Sequence, residues 1–197
     1  QRALRRYLKP GDVVFDVGAN WGFFTLYMSQ LVGSQGSVIA LEPVPFTAAI
    51  LLRNLQANHI SNVEVIQKAV SSDEGNRCIR IPEGGEGHPM ASINWHKVDP
   101  DVIEITVKTI SLDTFCSMRA LEPNFVKIDV EGADGEVITG FQHTIGRCRP
   151  VIFIECSDLG RERVWEVMKN RYQYRCFNAA SDKEVGSIDE YRHADFL

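Results

Sequence analysis

Six short apolar blocks punctuate the chain: residues 13–17 (VVFDV), 38–41 (VIAL), 63–66 (VEVI), 125–128 (FVKI), 151–154 (VIFI) and 174–177 (YRCF). Blocks this short and this apolar are strands buried on both faces, and the longer segments between most of them carry a helical period. The pattern therefore demands an α/β fold, a doubly wound, mostly parallel sheet with helices on both sides. The helical stripes are Phe24, Tyr27, Met28, Leu31 and Val32; Ala48, Leu51, Leu52 and Leu55; Val137, Ile138, Phe141 and Ile145; and Val164, Trp165, Met168 and Tyr172. Each is read as a face packed on the core. Between Ser71 and Asn124 the rhythm changes to period 2, in "RCIRIPE" and "VIEITVKTISLDTF", which predicts an inserted antiparallel hairpin. These segments flank a Gly- and Pro-containing loop, residues 83–101, of the length used for lids and binding loops.

With 197 residues, 44% of them hydrophobic, the chain has the size of one globular domain, read here as spanning residues 1–197. The formal net charge of -5 argues against a nucleic-acid or anionic-membrane surface, since both require clustered Lys and Arg. Five cysteines without a CxxC pair read as reduced thiols and not as a disulfide framework or zinc site. No apolar run reaches the length of a membrane span and the first residues lack a signal-peptide core, so a cytoplasmic location is expected. The chain opens without Met and stops at "ADFL", as a domain cut from a longer protein would. Oligomeric state has no signature here.

In open α/β sheets, ligands bind at the carboxyl ends of the strands, so the residues that follow each block are the candidates. After the first come Asp16, Gly18, Ala19, Asn20 and Gly22; after the second, Glu42 and Pro43; after the third, Lys68, Ala69 and Val70. A nicotinamide or flavin site would show G-x-G-x-x-G, with pyrophosphate on the helix N-terminus. This loop lacks that spacing, and Asp16 beside it would repel a pyrophosphate. S-adenosyl-L-methionine fits instead. It has no phosphate, carries an ammonium and a sulfonium that Asp16 could attract, and brings ribose hydroxyls that need an acceptor. Glu42, 24 residues after Gly18, is placed to be that acceptor. Lys68 and Ala69 fall where the adenine would lie.

A second acidic group follows the fourth block in "KIDVEGADGE", and Glu155 follows the fifth. Asp129, Glu131 and Glu155 thus reach the same sheet edge as Asp16 and Glu42. They are candidates to balance the sulfonium or to take a proton from an acceptor hydroxyl, with His88 and His96 of the long loop as alternatives. Asp129 is a candidate for both cofactor binding and catalysis. Asp134 and Glu136 have a plainer explanation as acids complementing the dipole of a first helical turn. No carboxylate spacing specifies a metal.

Together, "VVFDVGANWGFFTL", "ALEPVP", "TISLDTF", "FVKIDVEGADGEVITG" and "VIFIEC" resemble the FkbM-type methyltransferases, of the class I, S-adenosylmethionine-dependent group. The resemblance runs from about Tyr7 to the end of the chain. It implies a Rossmann-like seven-stranded sheet whose last strand is antiparallel, with "ADFL" as part of it. It also implies O-methylation of a hydroxyl on a sugar, glycan or natural product, with S-adenosyl-L-homocysteine as the product. The family's cofactor loop falls on Asp16, Gly18, Ala19, Asn20 and Gly22, its ribose acid on Glu42, and its "IDVEG" on Ile128 to Gly132. Trp21 stands where relatives usually carry a smaller residue. Cys156 and Ser157 stand where many have a histidine, so no histidine base carries over. The competing readings are a nicotinamide-dependent oxidoreductase, which nucleotide binding would reveal, and a noncatalytic cofactor-binding domain, which absence of turnover would reveal.

Overall fold

The sheet is built in the order β3-β2-β1-β7-β8-β9, from Val63–Ile66, Ser37–Leu41, Val13–Val17, Phe125–Ile128, Val151–Glu155 and Asp195–Phe196. Five of these strands run parallel, and β9 pairs antiparallel to β8 through Ile154↔Phe196 and Glu155↔Asp195. The structure is a computed structural model and describes residues 2–82, 102–178, 181, 183–190 and 195–196. Loop 83–101, with His88 and His96, lies outside them.

Strand parity divides the core. Phe15, Val17, Ile39, Leu41, Val126 and Ile128 point to one face, under Leu112, Phe115, Val137, Ile138 and Phe141. Val14, Val38 and Phe125 point to the other, under Leu4, Met28 and Val32. That second layer is carried by α1 (Arg2–Tyr7) and α2 (Phe23–Val32); α3 (Pro45–Ala57) packs Leu51 and Leu55 with Ala19 and Ala40. Leu52, expected on the buried face of α3, is 53% exposed, because the stripe through Ala48, Leu51 and Leu55 already fills the contact.

The inserted hairpin is present as β5 (Gly75–Pro82) and β6 (Val102–Ile110), paired antiparallel over Gly75↔Thr109 to Pro82↔Val102. It joins β4 (Ala69–Val70), parallel to β6, in a separate three-stranded sheet that the two-residue β4 was too short to announce. Ser111 then caps α4 (Leu112–Arg119), its Oγ accepting from the Thr114 N–H at 3.1 Å. Asp113, in the first turn of α4, accepts from the backbone N–H groups of His143 and Thr144 at 2.9 and 2.7 Å, fixing the start of α6 (Gln142–Cys148) against α4.

Two expectations are corrected. The segment 174–177 is not a strand. Cys176 is buried in the core, but the chain doubles back through Phe177↔Glu184 and Val185 N–H to Cys176 O, so its backbone groups are met locally and not by β9. The described sheet therefore has six strands, where the resemblance implied seven. The stripe Val137, Ile138, Phe141 and Ile145 is fully buried as expected, but it spans two helices, α5 (Asp134–Thr139) and α6, separated at Gly140–Phe141. No helix of the described residues is long and apolar enough to cross a membrane.

Candidate active site

A cleft of ≈ 220 Å³ opens at the carboxyl edge of the parallel strands, where strand order reverses about β1. Gly18, Asn20, Glu42, Pro43, Lys68, Ala69, Asp129, Glu131 and Glu155 all line it. So do Val17, Leu41, Thr47, Val70, Ile79, Val130 and Ala133; of these, Thr47 and Ile79 had no mark as site residues in the sequence. The ends of β1, β2, β7 and β8, the segment that follows β3 and, through Ile79, the hairpin thus meet in one space.

The loop after β1 is shaped by close packing. Gly18 adopts φ +76, and a Cβ there would stand 1.8 Å from the Asp129 carbonyl oxygen. Only glycine allows β1 and β7 to deliver their loops side by side. Gly22, at φ +90, does not line the cleft; a Cβ would meet Leu51 Cδ1 at 2.3 Å, so it admits α3 against the start of α2. Ala19 is also buried beneath the loop.

Glu42 faces the cleft and is anchored through both of its carboxylate oxygens. Its Oε2 accepts from the Asn20 N–H at 2.9 Å and its Oε1 from the Val44 N–H at 3.0 Å. Asn20 sits at φ 50, the left-handed geometry that turns its N–H toward Glu42. Burial pushes the Glu42 carboxyl up to about 7, against the two backbone hydrogen bonds that favour its ionised form. Each oxygen keeps a second lone pair, so a hydroxyl can still donate to it.

Asp16 lies elsewhere than the sequence reading placed it. It is fully buried and does not line the cleft. Its Oδ2 accepts from Thr25 Oγ1 at 2.6 Å, and Lys127 Nζ stands 3.4 Å from Oδ1. Parity explains this: Asp16 is one residue before the strand end, shares a face with Val14, and pairs in register with Lys127. Lys127 also reaches Asp129 Oδ2 at 3.2 Å, and its ammonium lies 5.0 Å from the centre of the Phe24 ring. Burial would lower the Lys127 ammonium, but the two carboxylates outweigh it and hold it above its usual range. A lone lysine in the apolar run "FVKI" was the signal available in the sequence.

Asp129, Glu131 and Glu155 are brought together as expected at this edge. Partial desolvation, and then the Asp129 carboxylate, raise the Glu131 carboxyl, although the residue's surface remains largely open to solvent. Glu131 takes φ 48, so the backbone after β7 turns sharply and presents the side chain over the cleft.

Asp134 and Glu136 do more than complement a helix dipole. Asp134 is fully buried and accepts from Ser157 Oγ at 2.7 Å and Cys156 Sγ at 3.2 Å. It ties the loop after β8, which follows Glu155, to the helix after β7, which follows Glu131. Glu136 accepts from Ser71 Oγ at 2.6 Å and so ties in the loop after β4. Among the described residues no group of three His, Cys, Asp or Glu is arranged to hold a metal ion.

The donor set suits a cation carrying hydroxyls. Four carboxylates line the cleft against one lysine among the described residues, with apolar walls from Leu41, Pro43, Ala69 and Val70. That is the wrong charge for a pyrophosphate and the right one for an ammonium, a sulfonium and a ribose.

Comparison with known proteins agrees. The family model described as the methyltransferase FkbM domain matches residues 16–192. The 31-O-demethyl-FK506 methyltransferase FkbM of Streptomyces tacrolimicus is 44% identical over 161 residues, covering 68% of this chain and 61% of that protein. The hexuronic acid methyltransferase AglP of Haloferax volcanii is 32% identical over 145 residues, covering 73% and 56%, and the 2-O-methyltransferase NoeI of Sinorhizobium fredii 28% over 166 residues, covering 76% and 65%. The chain thus spans about three fifths of the length of these curated relatives. Among solved structures, the methyltransferase FkbM from Methylobacillus flagellatus shares the fold, with a TM-score of 0.56 at 16% identity, over 95% of this chain and 44% of that one. With its cleft, its acids and its match over nearly the whole length, the chain belongs to the FkbM family of S-adenosylmethionine-dependent methyltransferases.

Proposed function

We propose that this domain transfers a methyl group from S-adenosyl-L-methionine to a hydroxyl of a sugar, glycan or natural-product acceptor. The observation that carries the reading is the charge of the cleft: Glu42, Asp129, Glu131 and Glu155 converge on a space with apolar walls. The acceptor class rests on the relatives, whose names specify a 2-O-methyltransferase, a hexuronic acid methyltransferase and a 31-O-demethyl-FK506 methyltransferase.

Glu42, held by the Asn20 and Val44 N–H groups, accepts from the ribose hydroxyls. Pro43, Lys68 and Ala69 wall the adenine side, and the close approach at Gly18 lets the backbone meet the methionine portion. Asp129 faces the ammonium. When bound, the cofactor supplies a methyl group already activated on a positively charged sulfur, so positioning contributes most of the rate. What remains for the protein is the acceptor's proton. Glu131 and Glu155 lie at the cleft edge to receive it, and desolvation together with the Asp129 carboxylate raises the Glu131 carboxyl, which strengthens it as a base.

Calorimetry with S-adenosyl-L-methionine and with NADH tests the cofactor: binding of the first alone is expected, and binding of the nucleotide alone would sink the reading. Release of S-adenosyl-L-homocysteine across a panel of sugar and polyketide hydroxyls then separates an enzyme from a noncatalytic binding domain. In that assay Glu131→Gln is expected to lower kcat by about 100-fold while leaving cofactor affinity within about 3-fold. Unchanged turnover would remove Glu131 from the mechanism and leave Glu155.

A further inference from the structure

Beneath the cleft runs a chain of polar groups. It starts at Thr25 on α2, passes through Asp16 on β1 and Lys127 on β7, and ends at Asp129, with separations of 2.6, 3.4 and 3.2 Å. The side chains of Asp16 and Lys127 are 0% and 3% exposed, whereas that of Asp129 is 31% exposed and lines the cleft. Only the last member therefore meets a ligand. Charges this buried are kept by a protein when each is partnered, and Lys127 has three partners in different directions: Asp16, Asp129 and the face of the Phe24 ring.

We propose that Lys127 is a positioning residue, clamped between Asp16 and Asp129 so that the Asp129 carboxylate is held at the cleft wall to receive the cationic methionine end of the cofactor. This rests on the cofactor assigned above. Asp16 then acts on the cofactor only through Lys127. One Asp129 oxygen is drawn down onto Lys127, and the side chain loses the freedom to swing into solvent before the ligand arrives. A carboxylate already ordered in this way binds a cation more tightly than a mobile one, because less is lost on binding.

The alternative is that Lys127 serves only as the counter-ion that lets Asp16 be buried. The paired variant Asp16→Asn/Lys127→Met separates the two, since removing both charges leaves no unpaired buried ion. It is expected to fold and melt close to wild type, yet bind S-adenosyl-L-methionine at least about tenfold more weakly by calorimetry. Adding Asp129→Asn to that variant should then cost little more, while in wild type the same change should cost about as much as the paired variant. Recovery of wild-type affinity in the paired variant would overturn the proposal. If that variant does not fold, NMR of 15N-labelled lysine in wild type carries the test. The Lys127 Nζ resonance should move on adding the cofactor, and the Asp129→Asn variant should lose that movement; a resonance unmoved in wild type would overturn the proposal. Should wild type itself bind no cofactor, it is the functional assignment that fails.

Discussion

Asp16 and Glu42 close neighbouring parallel strands, and the structure uses them in opposite ways. Asp16 lies within β1, and parity turns it onto the face under α2, where Thr25 and Lys127 take up its oxygens. Glu42 lies one residue past the end of β2, where its N–H still donates to the Ile66 carbonyl of β3 at 3.1 Å, and its side chain lines the cleft, anchored by two backbone N–H groups. One acid is partnered by a charge and shut away. The other is partnered by peptide dipoles and left able to accept more. Asp16 pairs in register with Ala40, two residues before Glu42, so the two acids have the same parity; what separates them is that Asp16 lies within the sheet and Glu42 at its carboxyl edge, where the cleft opens.

The comparison breaks most visibly at Lys127. Lys127→Met leaves Asp16 a buried carboxylate without its cation, and breaking a buried pair in this way typically costs about 3–5 kcal/mol. Denaturant unfolding should show that loss, and a loss below about 1 kcal/mol would mean that Asp16, whose carboxyl burial already raises, is relieved by a proton, water or a rearranged side chain.

Glu42 should respond to pH instead. Its carboxyl is raised from 4.5 to about 7 by burial, so the folded state binds its proton more tightly than the unfolded chain does. The stabilisation this provides is complete below about 4.5 and is lost as pH rises through about 7, an effect of the order of 3 kcal/mol. Glu42→Gln removes the titration but leaves one of the Asn20 and Val44 N–H groups without its acceptor. The variant should therefore be the less stable protein at pH 5, with the gap narrowing toward pH 8. A gap independent of pH would show that Glu42 is not the titrating group. Because the bound cofactor is cationic, it favours the ionised carboxylate, so affinity in wild type should tighten as pH rises through about 7 and do so less in the variant.

A smaller effect is expected at the other acid pair. Ser157→Ala removes one of two side-chain donors to the buried Asp134, and a lost bond of this kind costs about 1–3 kcal/mol. Since Asp134 joins the loops that follow Glu131 and Glu155, kcat should fall with little change in cofactor affinity. Equal loss of both would indicate a general loosening of the sheet edge. Smallest of all, Arg119→Ala on the surface breaks the two-pronged contact with Glu64, and at 41% and 47% side-chain exposure it should cost less than about 1 kcal/mol.

Much of the fold was readable because burial on both faces writes itself into composition. Strands β1, β3 and β7 appear at the bounds their apolar runs mark, and the period-2 stretches became β5 and β6. Residues 174–177 show where that signal ends: an apolar run states that a segment is buried, as Cys176 is, but not that its backbone pairs with a strand. Leu52 shows the same for helices, since a stripe of four apolar residues does not say which one the curvature of the packing leaves outside. In the site, the acids at Glu42, Asp129, Glu131 and Glu155 were legible because strand ends converge at one edge of a parallel sheet. Thr47 and Ile79 were not, because no local rule says which residues of a helix or an inserted hairpin a cleft will expose.

By itself, then, the sequence determined the layered architecture, the edge at which ligands bind and the acidic character of that edge, all of which follow from periodicity, glycine placement and charge. Only the tertiary structure decided the direction in which each acid points and what it touches. The Asp16–Lys127 contact depends on the register of β1 against β7, and the Asp134–Ser157 contact on how α5 meets the loop after β8. Register and packing are set by the whole core closing at once, so partners 111 and 23 residues apart in the chain carry no local mark of each other.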